Sequence, residues 1–592
     1  MRVLAVLTVV LDLVAVPSLL VMVSQHTLHV LMPWTAWGRV LTHAAWRQHY
    51  VLVALALLAG ALYWGYHLGP GGGSADTTTA FGSARWRTPR ELAQSLDRWT
   101  ATARTNPAGL VVGAGSTRGR VREAWVNGRD GHNILIGAPG AGKTLKVILP
   151  SIAVIADAGE NLVITDPKGE LHAATAEYLA QHGYRVATLD LRFPERSLRW
   201  NPLDAVSQAM AEQRWSDAVR VANDLANLLA AQGAPGGENG AFWQSSARSI
   251  GAALALLVAD QAPPEARHLA SVYHVLTQSG PALDGILQAL PPTHPARQAY
   301  GPVLTSAPET RQNQLNVVAV SLSLFADPNI AWLTGGSTFR PEDLTAPRTA
   351  VFVVVPDDTS TYYPLAALFV TQVMQTLARA AAARPGGKLA VPVHLVLDEF
   401  GNLPKIPEFD KALTVARGRG IRVTLTVQHL AQLDERYGPK TAETMRGSCN
   451  TWVYLSANDP ETARIVSDKV GQTTIETTSR GTNWQTGSRQ WSENTSATGR
   501  ALLPPDEVMR WKPDHTLVLQ MGQLPAKLPA RYWTDWPQAQ GGLGPDERAY
   551  PPIDSSPPPL WTPPGPDASD DALTFEPVVS LDAQVPSWRA RP

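Results

Sequence analysis

The chain has 592 residues, a formal net charge of −1 and one cysteine, Cys449. Its length suggests about two to four domains. The near-zero charge excludes a basic coat over the whole surface, so any nucleic-acid contact must be local. A single cysteine excludes a disulfide framework within the chain, which fits a reducing compartment.

Leu4 to Val23 is an almost wholly apolar run, broken by Asp12 and Pro17, and Val51 to Gly69 is a second run with no charge. Each approaches the roughly 20 residues that cross a bilayer. Tryptophans and tyrosines, among them Trp34, Trp46, Tyr50 and Trp64, stand near their ends, as at a membrane interface. We expect residues 1–70 to be a membrane anchor of two transmembrane helices. Residues 71–80, rich in Gly and Thr, would be a flexible linker. No comparable apolar run is read after residue 79. Asp12 inside the first span is a candidate helix–helix or subunit contact, or else lies near enough to one end to reach water.

Val111 to Val126 alternates as short strands do. Ile134-Leu135-Ile136 then reads as a buried strand running into Gly137-Ala138-Pro139-Gly140-Ala141-Gly142-Lys143-Thr144, which satisfies G-x-x-x-x-G-K-[ST]. Glycines let consecutive N–H groups turn inward on a polyphosphate. Lys143 supplies charge to the β- and γ-phosphates, and the Thr144 hydroxyl is a Mg²⁺ ligand. The apolar stretch from Leu145 to Ile152 suits the helix whose positive end faces the phosphates. The cofactors expected are therefore ATP and Mg²⁺. A P-loop that uses ATP belongs in the cytoplasm, so two spans place residues 24–50 outside and the bulk of the chain inside.

Asn161 to Asp166 reads as a second parallel strand ending at the turn Asp166-Pro167-Lys168-Gly169-Glu170, and Val186 to Leu189 as a third. From 204 to 338 the periodicity is helical, which predicts an all-α insertion. Val351 to Pro356 resumes the sheet, and Tyr363 to Ala383 is a helix. Val393 to Leu397 then ends in Asp398-Glu399, the acidic pair of a Walker B strand. Asp398 there can hold Mg²⁺, and Glu399 can polarise the attacking water. Ile406 to Arg417 reads as a helix and Ile421 to Val427 as a strand ending at Gln428. Thr451 to Leu455 and Leu517 to Gln520 are further strands. Residues 538–592 are Pro-rich, with little periodicity, and read as a disordered tail.

Taken together, several strings resemble one family. They are Gly-Ser-Ala-Arg-Trp at 82–86, the P-loop, Thr-Asp-Pro-Lys-Gly-Glu-Leu at 165–171 and Trp-Asn-Pro-Leu at 200–203. Asp-Glu-Phe-Gly-Asn-Leu-Pro at 398–404, Arg-Gly-Arg-Gly-Ile-Arg at 417–422, Gln-His-Leu-Ala-Gln-Leu at 428–433 and Asn-Asp-Pro-Glu-Thr-Ala at 458–463 complete the series. The chain resembles the type IV secretion coupling proteins, the TraG and VirD4 group, over roughly residues 80–535.

The resemblance implies an α/β fold: a RecA-like P-loop ATPase domain at 81–203 and 339–537, an inserted all-α domain at 204–338, and two transmembrane helices before them. It implies a homo-hexameric motor, multi-pass in the inner membrane, that hands single-stranded DNA with its relaxase to the secretion channel proteins. Carried onto this chain, the loop from Gly137 to Leu145 binds nucleotide, and Thr144 and Asp398 hold the metal. Lys143, Glu399, Gln428 as γ-phosphate sensor and Arg417 as a finger reaching a neighbour's nucleotide serve catalysis, with Arg419 a rival for the last role. Because Arg417 precedes the strand that ends at Gln428, it is read as standing on the nucleotide edge of the sheet. Two other readings stay open: a membrane-tethered DNA translocase of the chromosome-segregation kind, and a receptor that binds ATP without hydrolysing it.

Overall fold

The structure is a computed structural model that describes residues 79–116, 118–233, 240–280, 282–356, 358–485, 488–539 and 556–564, with Thr42 and Gln48. The two expected transmembrane helices, and nearly all of the expected linker, lie outside the described residues. The chain divides into two compact units, Met1–Ser83 with Gln472–Arg500, and Ala84–Gly471 with Ala501–Pro592.

In the larger unit, α1 (Pro89–Ser95) starts on a capping box. The Thr88 side chain accepts from the Glu91 N–H, and the Glu91 carboxylate returns to the Thr88 N–H. Strands β1 (Asp97–Thr100), β2 (Leu110–Ala114) and β3 (Glu123–Asn127) form a small antiparallel sheet in the order β1-β3-β2. β4 (His132–Gly137) leads through the P-loop into a π turn at Thr144–Ile148 and then α2 (Leu149–Ala158), which stops at left-handed Gly159. β5 (Asn161–Asp166), α3 (Glu170–Gln181) and β6 (Arg185–Asp190) follow.

Among the described residues eight helices come next: α4 (Asp204–Ala211), α5 (Trp215–Gly233), α6 (Gly240–Gln261), α7 (Leu269–Gln278), α8 (Leu283–Ala289), α9 (Pro295–Leu304), α10 (Pro308–Leu322) and α11 (Pro328–Thr334). Among the described residues this stretch holds no strand. The chain then returns to the sheet with β7 (Thr349–Val354), α12 (Tyr363–Ala382), β8 (Val393–Leu397), α13 (Phe409–Ala416) and β9 (Ile421–Val427). Next come α14 (Ala431–Tyr437), α15 (Pro439–Ser448), β10 (Cys449–Ser456) and α16 (Pro460–Val470).

The smaller unit contains the two-stranded ribbon of β11 (Gln472–Gln485) and β12 (Ser488–Ala501), which pattern reading passed over. Ser83 bridges Thr473 there. A Cβ on Gly82 would lie 2.2 Å from the Gln472 carbonyl oxygen, so this close approach requires the glycine of the Gly-Ser-Ala-Arg-Trp string. The larger unit resumes with α17 (Pro505–Met509), β13 (His515–Gln520) and β14 (Ala526–Pro529).

Among the described residues the main sheet has nine strands in the order β14-β13-β10-β4-β9-β8-β5-β7-β6. From β10 to β6 all pairings are parallel; β13 runs antiparallel to β10, and β14 to β13. The central strands β4, β5, β7 and β8 are buried at every residue, which explains their unbroken apolar runs. Ile134 and Ile136 face one buried cluster and Leu135 the other, so helices cover both faces.

The helical insertion shares the first of these clusters with the sheet. Trp200 packs edge-on against Phe369 at 5.1 Å between ring centroids, and its indole N–H reaches the Gln372 side-chain oxygen at 3.1 Å. Asn201 stays in place by bonding the Arg267 carbonyl and the Leu203 N–H. The Trp-Asn-Pro-Leu string is thus the seam between sheet and insertion. Burying Phe339 and Phe369 there contributes about 1.5–3 kcal/mol each.

Two expectations change. Helix α12 is long and apolar enough to cross a membrane, although no such run was read after residue 79; 61% of its apolar window is buried inside the fold. Part of the tail expected to be disordered, residues 556–564, packs against the helical insertion.

Candidate nucleotide-binding and catalytic site

Parallel pairing brings the carboxyl ends of β4, β5, β8 and β9 to one edge. Ile136 lies opposite Val427, Leu397 opposite Leu425, and Thr165 opposite Leu397. The residues just beyond these ends are the P-loop, Gln428, Asp398-Glu399 and Asp166, gathered at the crevice where open parallel sheets bind ligands.

In the loop, Gly140 (φ +77°) and Gly142 (φ +87°) are left-handed. A Cβ on Gly137 would meet Lys143 Cγ at 2.8 Å, so the lysine stem can fold back only over a glycine. Lys143 is 7% exposed; its Nζ donates to the Gly137 carbonyl at 2.9 Å and lies 3.5 Å from a Glu399 oxygen. Thr144 opens the π turn. Ala138, Pro139, Gly140, Gly142, Lys143, Thr144 and Leu145 line a cleft of about 490 Å³, together with Asp166, Asp398, Glu399 and Gln428. Gly137 and Ala141 shape the loop without lining it.

Glu399 has φ +49° and ψ +40°, a left-handed conformation that costs a non-glycine residue of order 1–3 kcal/mol. Its N–H donates to Asp398 Oδ1 at 3.0 Å, and the Thr165 hydroxyl donates to the Asp398 carbonyl at 2.9 Å. Gln428 Nε2 donates to Glu399 Oε2 at 2.9 Å. The strained turn thus holds Glu399 between the loop lysine and the glutamine, as a strand-end pattern cannot reveal.

Burial, reinforced by the Glu399 charge, pushes the Asp398 carboxyl up to about 7. Burial likewise raises Asp166 to about 6, against the pull of its His172 and Leu171 backbone hydrogen bonds. One Asp166 oxygen accepts the His172 N–H at 2.8 Å; the other is buried with no hydrogen-bond partner. Three carboxylates crowded beside Lys143 make a donor set for a hard divalent cation, and the orphaned oxygen fits that need. Mg²⁺ therefore suits this cleft.

Arg417 does not join this group. It caps α13 ahead of β9, and its guanidinium bonds Asn450 beside the start of β10. That is the amino end of the parallel strands, opposite the P-loop, because Ile421 pairs with Val393 while Val427 pairs with Ile136. The reading that put Arg417 on the nucleotide edge mistook the entry of β9 for its exit. Arg417 is exposed, whereas Arg419 is half-buried and donates to the Ala378 carbonyl at 2.8 Å.

Sequence reasoning missed Tyr363, Asn402 and Tyr532, which also line the cleft. Tyr532 comes from beyond the last strand and carries no motif. The Lys146 ammonium stands 4.7 Å over its ring and donates to the Ala141 and Pro513 carbonyls. Only Lys146, three residues after Lys143, offered a signal, as a second cation in the loop helix.

This fold and loop define a P-loop nucleotide-binding protein of the RecA-like α/β kind. Residues 94–548 match the family described as Type IV secretory system Conjugative DNA transfer, and the chain belongs to that family. It is similar to protein VirD4 of Rhizobium rhizogenes, with 26% identity over 74% of this chain and 65% of that relative. It is also similar to VirD4 of Agrobacterium fabrum, 26% identical over 69% and 60% respectively. The chain thus spans under two thirds of the length of these relatives. Its fold is similar to that of the bacterial conjugative coupling protein TrwB lacking an N-terminal segment, with a TM-score of 0.53, 17% identity, and coverage of 78% of this chain and 98% of that one. TrwB in complex with a non-hydrolysable ATP analogue gives a TM-score of 0.54 at 17% identity, covering 76% and 96%.

Proposed function

We propose that this chain is an ATP-hydrolysing coupling protein of conjugative DNA transfer, using ATP and Mg²⁺ to recruit or pump single-stranded DNA with its relaxase towards the secretion channel proteins. The observation that carries this reading is the convergence of Lys143, Thr144, Asp398, Glu399 and Gln428 on one cleft. In the proposed site the P-loop and Lys143 bind the phosphates, and Thr144 and Asp398 hold Mg²⁺. Glu399, held between Lys143 and Gln428, would orient the attacking water. VirD4 relatives and the TrwB fold support the reading, as do the helical insertion and the Asp166–Glu170 turn against the chromosome-segregation alternative.

The working form is proposed as a homo-hexamer in the inner membrane. Residues 1–70 are the two-span anchor, the bulk of the chain is cytoplasmic, 204–338 is the inserted all-α domain, and 81–203 with 339–537 is the nucleotide domain. ATPase assays on the purified full-length oligomer test the function: single-stranded DNA should stimulate turnover several-fold. Stimulation by duplex DNA alone would favour the chromosome-segregation kind, and a silent site would favour the receptor.

Glu399→Gln preserves shape and removes the carboxylate. ATP should still bind, measured with a fluorescent nucleotide, while phosphate release falls about 10²–10⁴-fold. A rate near wild type would move the base to Asp166.

A further inference from the structure

Residues 556–564, Ser-Pro-Pro-Pro-Leu-Trp-Thr-Pro-Pro, sit on α7 and on the turn after α11. Trp561 is 7% exposed and joins the buried cluster of the helical insertion, with Leu560 packed beside it. Pro558 and Pro563 are also buried.

The polar contacts come from positions three residues apart on α7. His268 caps the helix: its Nδ1 accepts the Ser271 N–H at 3.2 Å, which leaves the proton on Nε2. That N–H donates to the Pro559 carbonyl at 3.1 Å. The Ser271 hydroxyl accepts the Trp561 N–H at 3.3 Å, and His274 Nε2 meets the Thr562 hydroxyl at 3.0 Å. One helix face therefore reads a carbonyl, an amide and a hydroxyl in succession, while the indole enters the core. Five prolines restrict the free segment, so less entropy is lost when it docks.

The other side of the segment rests on Gly335. A Cβ there would lie 2.6 Å from Pro558 Cγ, so only glycine allows this approach. Gly335 begins the path by which the insertion returns to the sheet, where Trp200 N–H bonds the Leu333 carbonyl and Thr338 N–H the Arg199 carbonyl. The segment thus spans α7 and this exit.

We propose that this face of the helical insertion is a docking site for a proline-flanked Leu-Trp peptide, and that its occupant is the chain's own residues 556–564, held in cis as a releasable strap across the exit to the sheet. The contact includes the Trp561 indole, Leu560, Pro558 against Gly335 and the three side-chain hydrogen bonds to α7, the scale of a weak peptide complex. The covalent link through residues 540–555 makes it intramolecular, at an effective concentration of roughly millimolar.

Two measurements on the full-length protein test this. A labelled peptide of residues 556–564 should bind a Trp561→Ala chain saturably and bind the wild-type chain at least about tenfold more weakly, because there the strap competes. The same peptide carrying Trp561→Ala should not bind. Equal binding to both chains, or binding to neither with unchanged circular dichroism, overturns the site. In the second measurement, a His274→Cys/Thr562→Cys chain is treated with a short bismaleimide and mapped by mass spectrometry; native Cys449 is buried. A crosslink within one chain is expected. Crosslinked dimers would overturn the cis assignment, and no 274–562 crosslink would overturn the docking.

Discussion

Lys143→Ala is expected to lower ATP turnover by at least about a thousandfold, the scale on which phosphate-clamping cations act. The ammonium is nearly buried, 3.5 Å from Glu399, and beside a second carboxylate, Asp398, that burial has pushed up to about 7. Removing it deprives the phosphates of the loop's own cation. It also leaves Asp398 and Glu399 facing each other with less compensation, and unpaired buried charge is costly. Nucleotide affinity should therefore fall along with turnover, in contrast to Glu399→Gln, which should spare affinity. Equilibrium binding, phosphate release and mating efficiency are the measurements, with membrane-fraction abundance as the control for folding. Conjugative transfer at the wild-type level by this variant would sink the motor proposal.

Arg417→Ala should bind ATP normally and hydrolyse it about 10³–10⁵-fold more slowly, the range of known arginine fingers. Its position at the amino end of the parallel strands rules out a reach to the P-loop of its own subunit, so the proposed role is in trans. A ring in which this exposed guanidinium meets a neighbour's γ-phosphate is the arrangement the prediction requires. Mixing tests it: Lys143→Ala subunits still offer their arginine to the intact P-loops of Arg417→Ala neighbours. Partial recovery of ATPase after demonstrated subunit exchange is expected. Both arginines are bonded within their own subunit, but Arg419 is half-buried where Arg417 is exposed, so Arg419→Ala should act on stability more than on turnover. If Arg419→Ala shows the complementation and Arg417→Ala does not, the finger is misassigned.

What the sequence by itself determined is the chemistry that consecutive residues complete. Eight residues from Gly137 to Thr144 contain the glycines, the cation and the hydroxyl of a phosphate cradle. The step from Leu397 to Asp398-Glu399 marks a strand end carrying acids, and the period change at 204 marks the helical insertion. Membership of the coupling-protein family was legible for the same reason, since its strings are short and local.

Only the tertiary structure decided which strand ends share an edge. Register across parallel strands, set by packing between segments far apart in the chain, puts Asp166 beside Asp398 and leaves one of its oxygens buried without a partner. The same register moves Arg417 to the far edge, because a strand's entry and exit look alike in a one-dimensional pattern. Tyr532 reaches the cleft from beyond the last strand. Residues 556–564 look solvated by composition because proline hides the one feature that matters there: a tryptophan for which the helical insertion, nearly three hundred residues earlier, has already formed the site.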